Sequence, residues 1–298
     1  MRDEKDAHYQ HDKTGLRAVL SPPLERPRAV AWVGRSERLL VATEEGALIE
    51  VDPVFGTRNL QVEIQDPAEM AVSPDGKLLA LVERGHGVSV HRTGNGECVA
   101  QYGFPVLSDI SVCWFQLRRD ALGIAVAGDD LDGRRVAVMS ADLKRRRIAR
   151  VPRRTAIGTT AEGALVCARV TRDGMHVLPF GRPLPAGSAS KHRLRFGESG
   201  AIMGIAEGGV TIWSGPGAAP KTIMVYDVSA ATLDPTGDQV SIGTRSGEVA
   251  MSEVSSGGMQ RARPGKVGGH SSAIRAMAFA RKGKWLATAS EELRLWTW

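Results

Sequence analysis

Seven times along this chain an apolar run of five to seven residues follows a turn, and the runs recur at spacings of about 37 to 46 residues. They are RLLVAT (Arg38 to Thr43), KLLALV (Lys77 to Val82), LGIAVAG (Leu122 to Gly128), ALVCARV (Ala164 to Val170), AIMGIAEG (Ala201 to Gly208), QVSIGT (Gln239 to Thr244) and KWLATAS (Lys284 to Ser290). Each is bounded by Gly, Asp, Pro or Ser, which is the punctuation of strands and turns. No long stretch repeats apolar residues at i, i+3, i+4 and i+7, so helix is not expected. A further strand precedes most of these runs, as in AVAWVGRSE and EMAVSPDG, and another follows after a short turn, as in GALIEVD and GGVTIWS. The period and the strand count are those of four-stranded sheets repeated around a ring.

One such sheet cannot bury both of its faces. Stacking it between two neighbours does so, and closing the stack into a ring leaves only short edges. The inner strands should then be apolar on both faces, as LLALV and IAVAG are. The expected architecture is therefore all-β, a seven-bladed propeller over residues 14–298, preceded by a flexible arm at residues 1–13. The C-terminal unit supplies three strands and the sequence then stops at Trp298. GLRAVL (Gly15 to Leu20) is expected to lie beside ELRLWTW as the missing outer strand, with Trp298 packed beneath it.

The last unit resembles a WD-repeat: Gly269-His270 in the loop, AIRAMAFARKG, WLATAS, then LRLW. Ser73-Pro74-Asp75-Gly76 is similar to the turn such repeats favour. Thr297 stands where the family has its aspartate. The resemblance implies a buried hydrogen-bonded network of His270, Thr288 or Ser290, and Trp296 that ties the last blade together. No Asp lies in the short turn between Ser290 and Leu293, so this network is expected to be incomplete. The family resemblance also implies a scaffold that binds protein partners on a propeller face, acting within a hetero-complex and monomeric alone.

The composition is that of a soluble globular chain, 42% hydrophobic and 24% charged. No apolar run reaches the roughly 18 residues that span a bilayer, and the polar start MRDEKDAHYQHDK is not a secretory signal. Three scattered cysteines, Cys98, Cys113 and Cys167, argue against a disulfide framework or a thiolate metal site and fit a reducing cytoplasm. They are expected to be small core residues. Arginine outnumbers lysine 30 to 9, a bias that suggests a GC-rich bacterial source.

Searches for reaction chemistry find no phosphate loop, no GxSxG elbow and no HExxH. No catalytic residue, metal or cofactor is expected. His8 and His11 fall in the polar arm, and His91 and His176 in third strands. The acidic loop of Asp129, Asp130 and Asp132 is too short for an EF-hand and is expected to be a solvated turn or to pair with Arg134 and Arg135.

Charge is concentrated in one place. Lys144, Arg145, Arg146, Arg147, Arg150, Arg153 and Arg154 lie in DLKRRRIARVPRR without an acidic residue between them, whereas the whole chain carries only +6. This stretch is expected to be the outer strand of the third blade and its exit. Cations there discourage edge-to-edge pairing. They also suit an acidic partner: a nucleic-acid backbone, an anionic lipid or an acidic protein face. No aromatic residue interleaves with them, so base stacking is not supported. The lipid alternative draws on a resemblance of EEGALIEVDPVFG, GECVAQYGF and HSSAIRAMAFARKGKWLATAS to phosphoinositide-binding propellers, although the Phe-Arg-Arg-Gly motif of that group does not occur.

Overall fold

A computed structural model of the protein describes residues 17–20, 24, 26–34, 36–118, 121–160, 162–172, 174–185, 192–215, 218–255, 260–261, 269–282 and 285–297. The expected arm at 1–13 and the expected packing of Trp298 lie outside the described residues. Among the described residues there is no helix; the strands form seven sheets in a ring.

The chain opens with β1 (Arg17–Leu20). Blade one is β2 (Pro27–Trp32), β3 (Leu39–Thr43), β4 (Ala47–Asp52) and β5 (Gly56–Glu63). Blade two is β6 (Pro67–Val72), β7 (Leu78–Glu83), β8 (Gly87–Arg92) and β9 (Cys98–Gly103). Blade three is β10 (Ser108–Arg118), β11 (Ala121–Asp130), β12 (Gly133–Ser140) and β13 (Arg146–Val151). Blade four holds β14 (Ala156–Thr159), β15 (Leu165–Thr171) and β16 (Gly174–Pro179), and blade five β17 (Arg193–Phe196), β18 (Ile202–Ala206), β19 (Gly209–Trp213) and β20 (Lys221–Met224). Blade six is β21 (Val228–Leu233), β22 (Gln239–Thr244) and β23 (Val249–Glu253), followed by β24 (Gln260–Arg261). Blade seven is β25 (Ala276–Phe279), β26 (Leu286–Ala289) and β27 (Leu293–Thr297).

All seven apolar runs of the sequence are second strands of their sheets, and β3 is buried along its whole length. The apolar clusters sit between adjacent sheets. Leu40, Leu48, Met70, Leu79 and Leu81 fill the space between blades one and two. Val88, Val90, Ile124 and Val126 fill the next. Each such interface removes apolar surface from water at about 25 cal/mol per Å². Tryptophans stitch neighbouring sheets as well: Trp32 Nε1 donates to the Ala278 carbonyl at 2.9 Å, and Trp114 Nε1 to the Ala71 carbonyl at 2.8 Å.

The ring closes as the sequence leads one to expect. β1 pairs antiparallel with β27, with Arg17 opposite Thr297, Ala18 opposite Trp296 and Leu20 opposite Leu295. The first-to-last seam is also packed, with Trp32, Val41, Leu293 and Leu295 in one cluster.

The blades are less uniform than the period suggests. Blades four and six have three strands each among the described residues, and blade five has five. β16 ends on Pro179, and Pro183 and Pro185 follow; none of these can donate to a ladder. Phe180 and Leu184 pack instead against the cluster between blades three and four. After β23 the chain returns to blade five, where β24 pairs parallel with β20 through Ile223–Gln260 and Met224–Arg261. The innermost strands surround a central cavity of about 730 Å³.

Candidate functional site

The basic stretch of the sequence folds as a ribbon on the rim of blade three. Lys144 and Arg145 sit in the turn after β12, Arg146, Arg147 and Arg150 on β13, and Arg153 and Arg154 in the exit to blade four; all seven are exposed. Two acceptors set the turn. Ser140 Oγ accepts the Arg145 N–H at 3.0 Å, and Asp142 Oδ1 accepts the Lys144 N–H at 3.2 Å. The Ser140 hydroxyl and that amide hold the Asp142 carboxyl below the usual carboxylate range.

Register fixes where the β13 side chains go. Arg146 lies opposite Met139, Ile148 opposite Ala137 and Arg150 opposite Arg135. Met139 and Ala137 belong to the cluster shared with blade two, so these three residues share the blade-two side. The Arg146 guanidinium carbon stands 4.3 Å above the centre of the Tyr102 ring on β9. Arg150 lies 3.6 Å from Asp132. Arg147 points to the other side. Among the described residues, Lys144, Arg145, Arg147 and Arg153 have no carboxylate within ion-pair distance.

The acidic loop beside this ribbon is neutralised. Arg134, with a side chain only 1% exposed, reaches Asp109 Oδ2 at 2.9 Å and Asp129 Oδ1 at 3.1 Å, and also donates to the Thr155 carbonyl of the next blade. Arg135 pairs with Asp130 and lies 3.1 Å from Asp132.

In blade seven, His270 Nε2 lies 2.7 Å from Thr288 Oγ1, and Trp296 Nε1 donates to the same oxygen at 2.7 Å. Trp can only donate, and a hydroxyl can accept twice, so the Thr288–His270 bond can run either way; the ring's other nitrogen is Nδ1. That buried Nδ1 has no hydrogen-bond partner among the described residues; Glu292 Oε1 stops 3.6 Å away and is held by Arg294 at 2.6 Å. Burial, with Arg294 adding to it, pushes the His270 pKa down to about 4. Ser290 lies outside this chain of bonds; its hydroxyl meets Ser272 Oγ at 2.6 Å.

The cysteine expectation needs correction. Cys167 is buried and Cys113 half-buried, but Cys98 is exposed, because it starts the outer strand β9 rather than an inner one. Burial pushes the Cys113 thiol up to about 12 and Cys167 to about 11. His91 is buried, bonded to Ser89 Oγ at 2.8 Å and the Gly96 carbonyl at 3.0 Å.

Sequence reading missed a charged lining of the central cavity. Arg28, Glu69, Asp109, Arg193 and Arg195 all come from innermost strands and face it. Arg195 lies 3.5 Å from Asp109, and Arg193 donates to the Ser229 carbonyl at 2.8 Å. Burial raises the Glu69 carboxyl and lowers Arg193, the latter helped by neighbouring Arg195. The available signal was a charge in first strands whose counterparts are apolar or small, as in AEMAV and RLRF.

No family model and no curated protein sequence matches this chain. Solved structures do resemble it. A chain of the mitotic checkpoint complex is 14% identical with a TM-score of 0.69, covering 100% of this chain and 95% of that one. The Cps50 (Swd1) β-propeller domain of Myceliophteria thermophila is also 14% identical with a TM-score of 0.69, covering 94% of this chain and 99% of that one. At this identity the likeness concerns the fold.

Proposed function

We propose that the protein is a non-catalytic interaction scaffold of the WD-repeat type, working as one subunit of a multi-protein assembly in the cytoplasm. The observation that carries the reading is the display of large apolar side chains at turn tips of a rigid ring. Phe55 is 89% exposed between β4 and β5, Leu131 89% between β11 and β12, and Tyr226 81% before β21. Such side chains gain by burial against a partner, and aromatic residues are enriched in the centres of protein interfaces. Loops on a stiff frame are where binding residues concentrate. The resemblance to a chain of a multi-protein complex supports the same reading by analogy of fold.

The test is affinity purification of tagged protein from its host, with mass spectrometry of what co-purifies, for the wild type and for a Phe55→Ala, Leu131→Ala, Tyr226→Ala triple variant. Stoichiometric partners that are lost with the triple variant are expected. A wild-type protein that elutes alone at its monomer mass would overturn the reading.

A further inference from the structure

The outer strand β13 has a ladder partner on one side only among the described residues. Its other side presents a row of backbone N–H and C=O groups to whatever lies beyond. Cations on an outer strand can act simply to keep other strands away, but this explanation does not fit the molecule's own pattern. The neighbouring outer strand β9, CVAQYG, carries no charged side chain at all. On β5, Arg58 is paired with Glu50 at 3.2 Å, and on β20 Lys221 is bonded to the Ser255 carbonyl at 3.2 Å. Among the described residues, only blade three gathers cations that lack carboxylate partners at its edge: Lys144, Arg145, Arg147 and Arg153.

Two further observations bear on what would sit there. The chain itself shows that an outer edge accepts another strand, since β24 adds to β20 as a fifth strand. And Ile148, in the middle of the cationic row, is 46% exposed. A nucleic-acid backbone would use the charges and a lipid surface the charges and the apolar side chain, but neither matches a row of alternating N–H and C=O groups. An extended peptide uses all three.

We propose that the edge of β13 binds an acidic, extended segment of a protein partner by strand addition, with carboxylates on the incoming strand meeting the unpaired cations. The six residues of β13 span about 20 Å at 3.3 Å per residue. Alternate carboxylates, about 6.6 Å apart, would meet Arg147 on one side of the edge, with Arg145 in the turn just before it. Backbone pairing supplies direction, and the side chains select for acidity. The inference rests on the scaffold reading and names one partner chemistry for it.

The test is fluorescence anisotropy at low salt with a labelled peptide of about ten residues alternating Glu and Val. Alongside it run two copies of that peptide N-methylated on alternate amides in either phase, and duplex and single-stranded DNA of matched charge. The full-length wild type is compared with an Arg145→Ala, Arg147→Ala variant whose fold is checked by circular dichroism. The plain peptide is expected to bind, one N-methylated copy to lose binding, and the double variant to weaken the plain peptide by about tenfold. Equal binding of both N-methylated copies, tighter binding of either DNA, or no binding of the plain peptide would overturn strand addition. Any of these can occur while the host purification still recovers partners, so this proposal and the scaffold reading fail separately.

Discussion

His270 is a buried ring held neutral, and acid should therefore unfasten the last blade. The folded protein holds this histidine at a pKa of about 4 against an ordinary value of 6.5. Between those values the unfolded chain binds a proton that the folded chain does not, so stability falls as the pH falls. The contribution is fully present above pH 6.5 and is lost as the pH drops toward 4. The displacement corresponds to about 3 kcal/mol. The hydrogen-bond chain gives the same sign. A charged ring carries N–H on both nitrogens, and the buried Nδ1 has no hydrogen-bond partner among the described residues. Glu292 cannot fully compensate, because Arg294 already claims its carboxylate. A His270→Gln variant keeps a hydrogen-bonding partner for Thr288 but cannot titrate. Urea unfolding of both proteins at steps from pH 7 to pH 4 isolates the effect, because all other groups titrate in both. The wild type should lose about 3 kcal/mol more than the variant across that range. A difference between the two that stays constant with pH would refute the assignment of a neutral buried ring.

Other perturbations follow from the geometry. Arg134→Met leaves Asp109 and Asp129, both part-exposed, without their shared cation and the Thr155 carbonyl without its donor, and denaturant titration should show a loss of about 1 to 3 kcal/mol. Removing residues 1–20 takes away β1 and opens the edge of β27; light scattering should show association that the full chain lacks. Gly247 has φ +89° and a Cβ there would stand 2.1 Å from the His270 carbonyl oxygen, so Gly247→Ala should lower the melting temperature by several degrees or more.

The ring was legible because burial on both faces leaves an unmistakable trace: second strands such as LLALV and IAVAG read as nearly unbroken apolar runs. The seam was legible for the same reason, since LRLW in the seventh unit and RAVL both carry the apolar residues of a sheet strand. Strand number per blade was not, because it depends on where outer segments go. The prolines around Phe180 and the return of Gln260–Arg261 to blade five are decided by tertiary contacts at the rim, where periodicity is weak. The basic ribbon was visible as composition, but its division into one stacked cation, Arg146 on Tyr102, and several unpaired ones required the register of β13. The charged cavity lining was hidden most completely. Glu69, Asp109 and the Arg193–Arg195 pair are distant in sequence and meet only because innermost strands of different blades converge.

The return of β24 to blade five has a mechanical consequence. In a ring of sheets each joined only to the next, pulling the chain from its C-terminal side should peel units off one at a time. Here the sixth unit is bracketed: its chain leaves β23 and is clasped to the unit before it. Tension applied at the C-terminus would then load the fifth and sixth units together, and they should come away as a pair. Relocating the termini by circular permutation should accordingly be tolerated between the first and second units and resisted between residues 253 and 260.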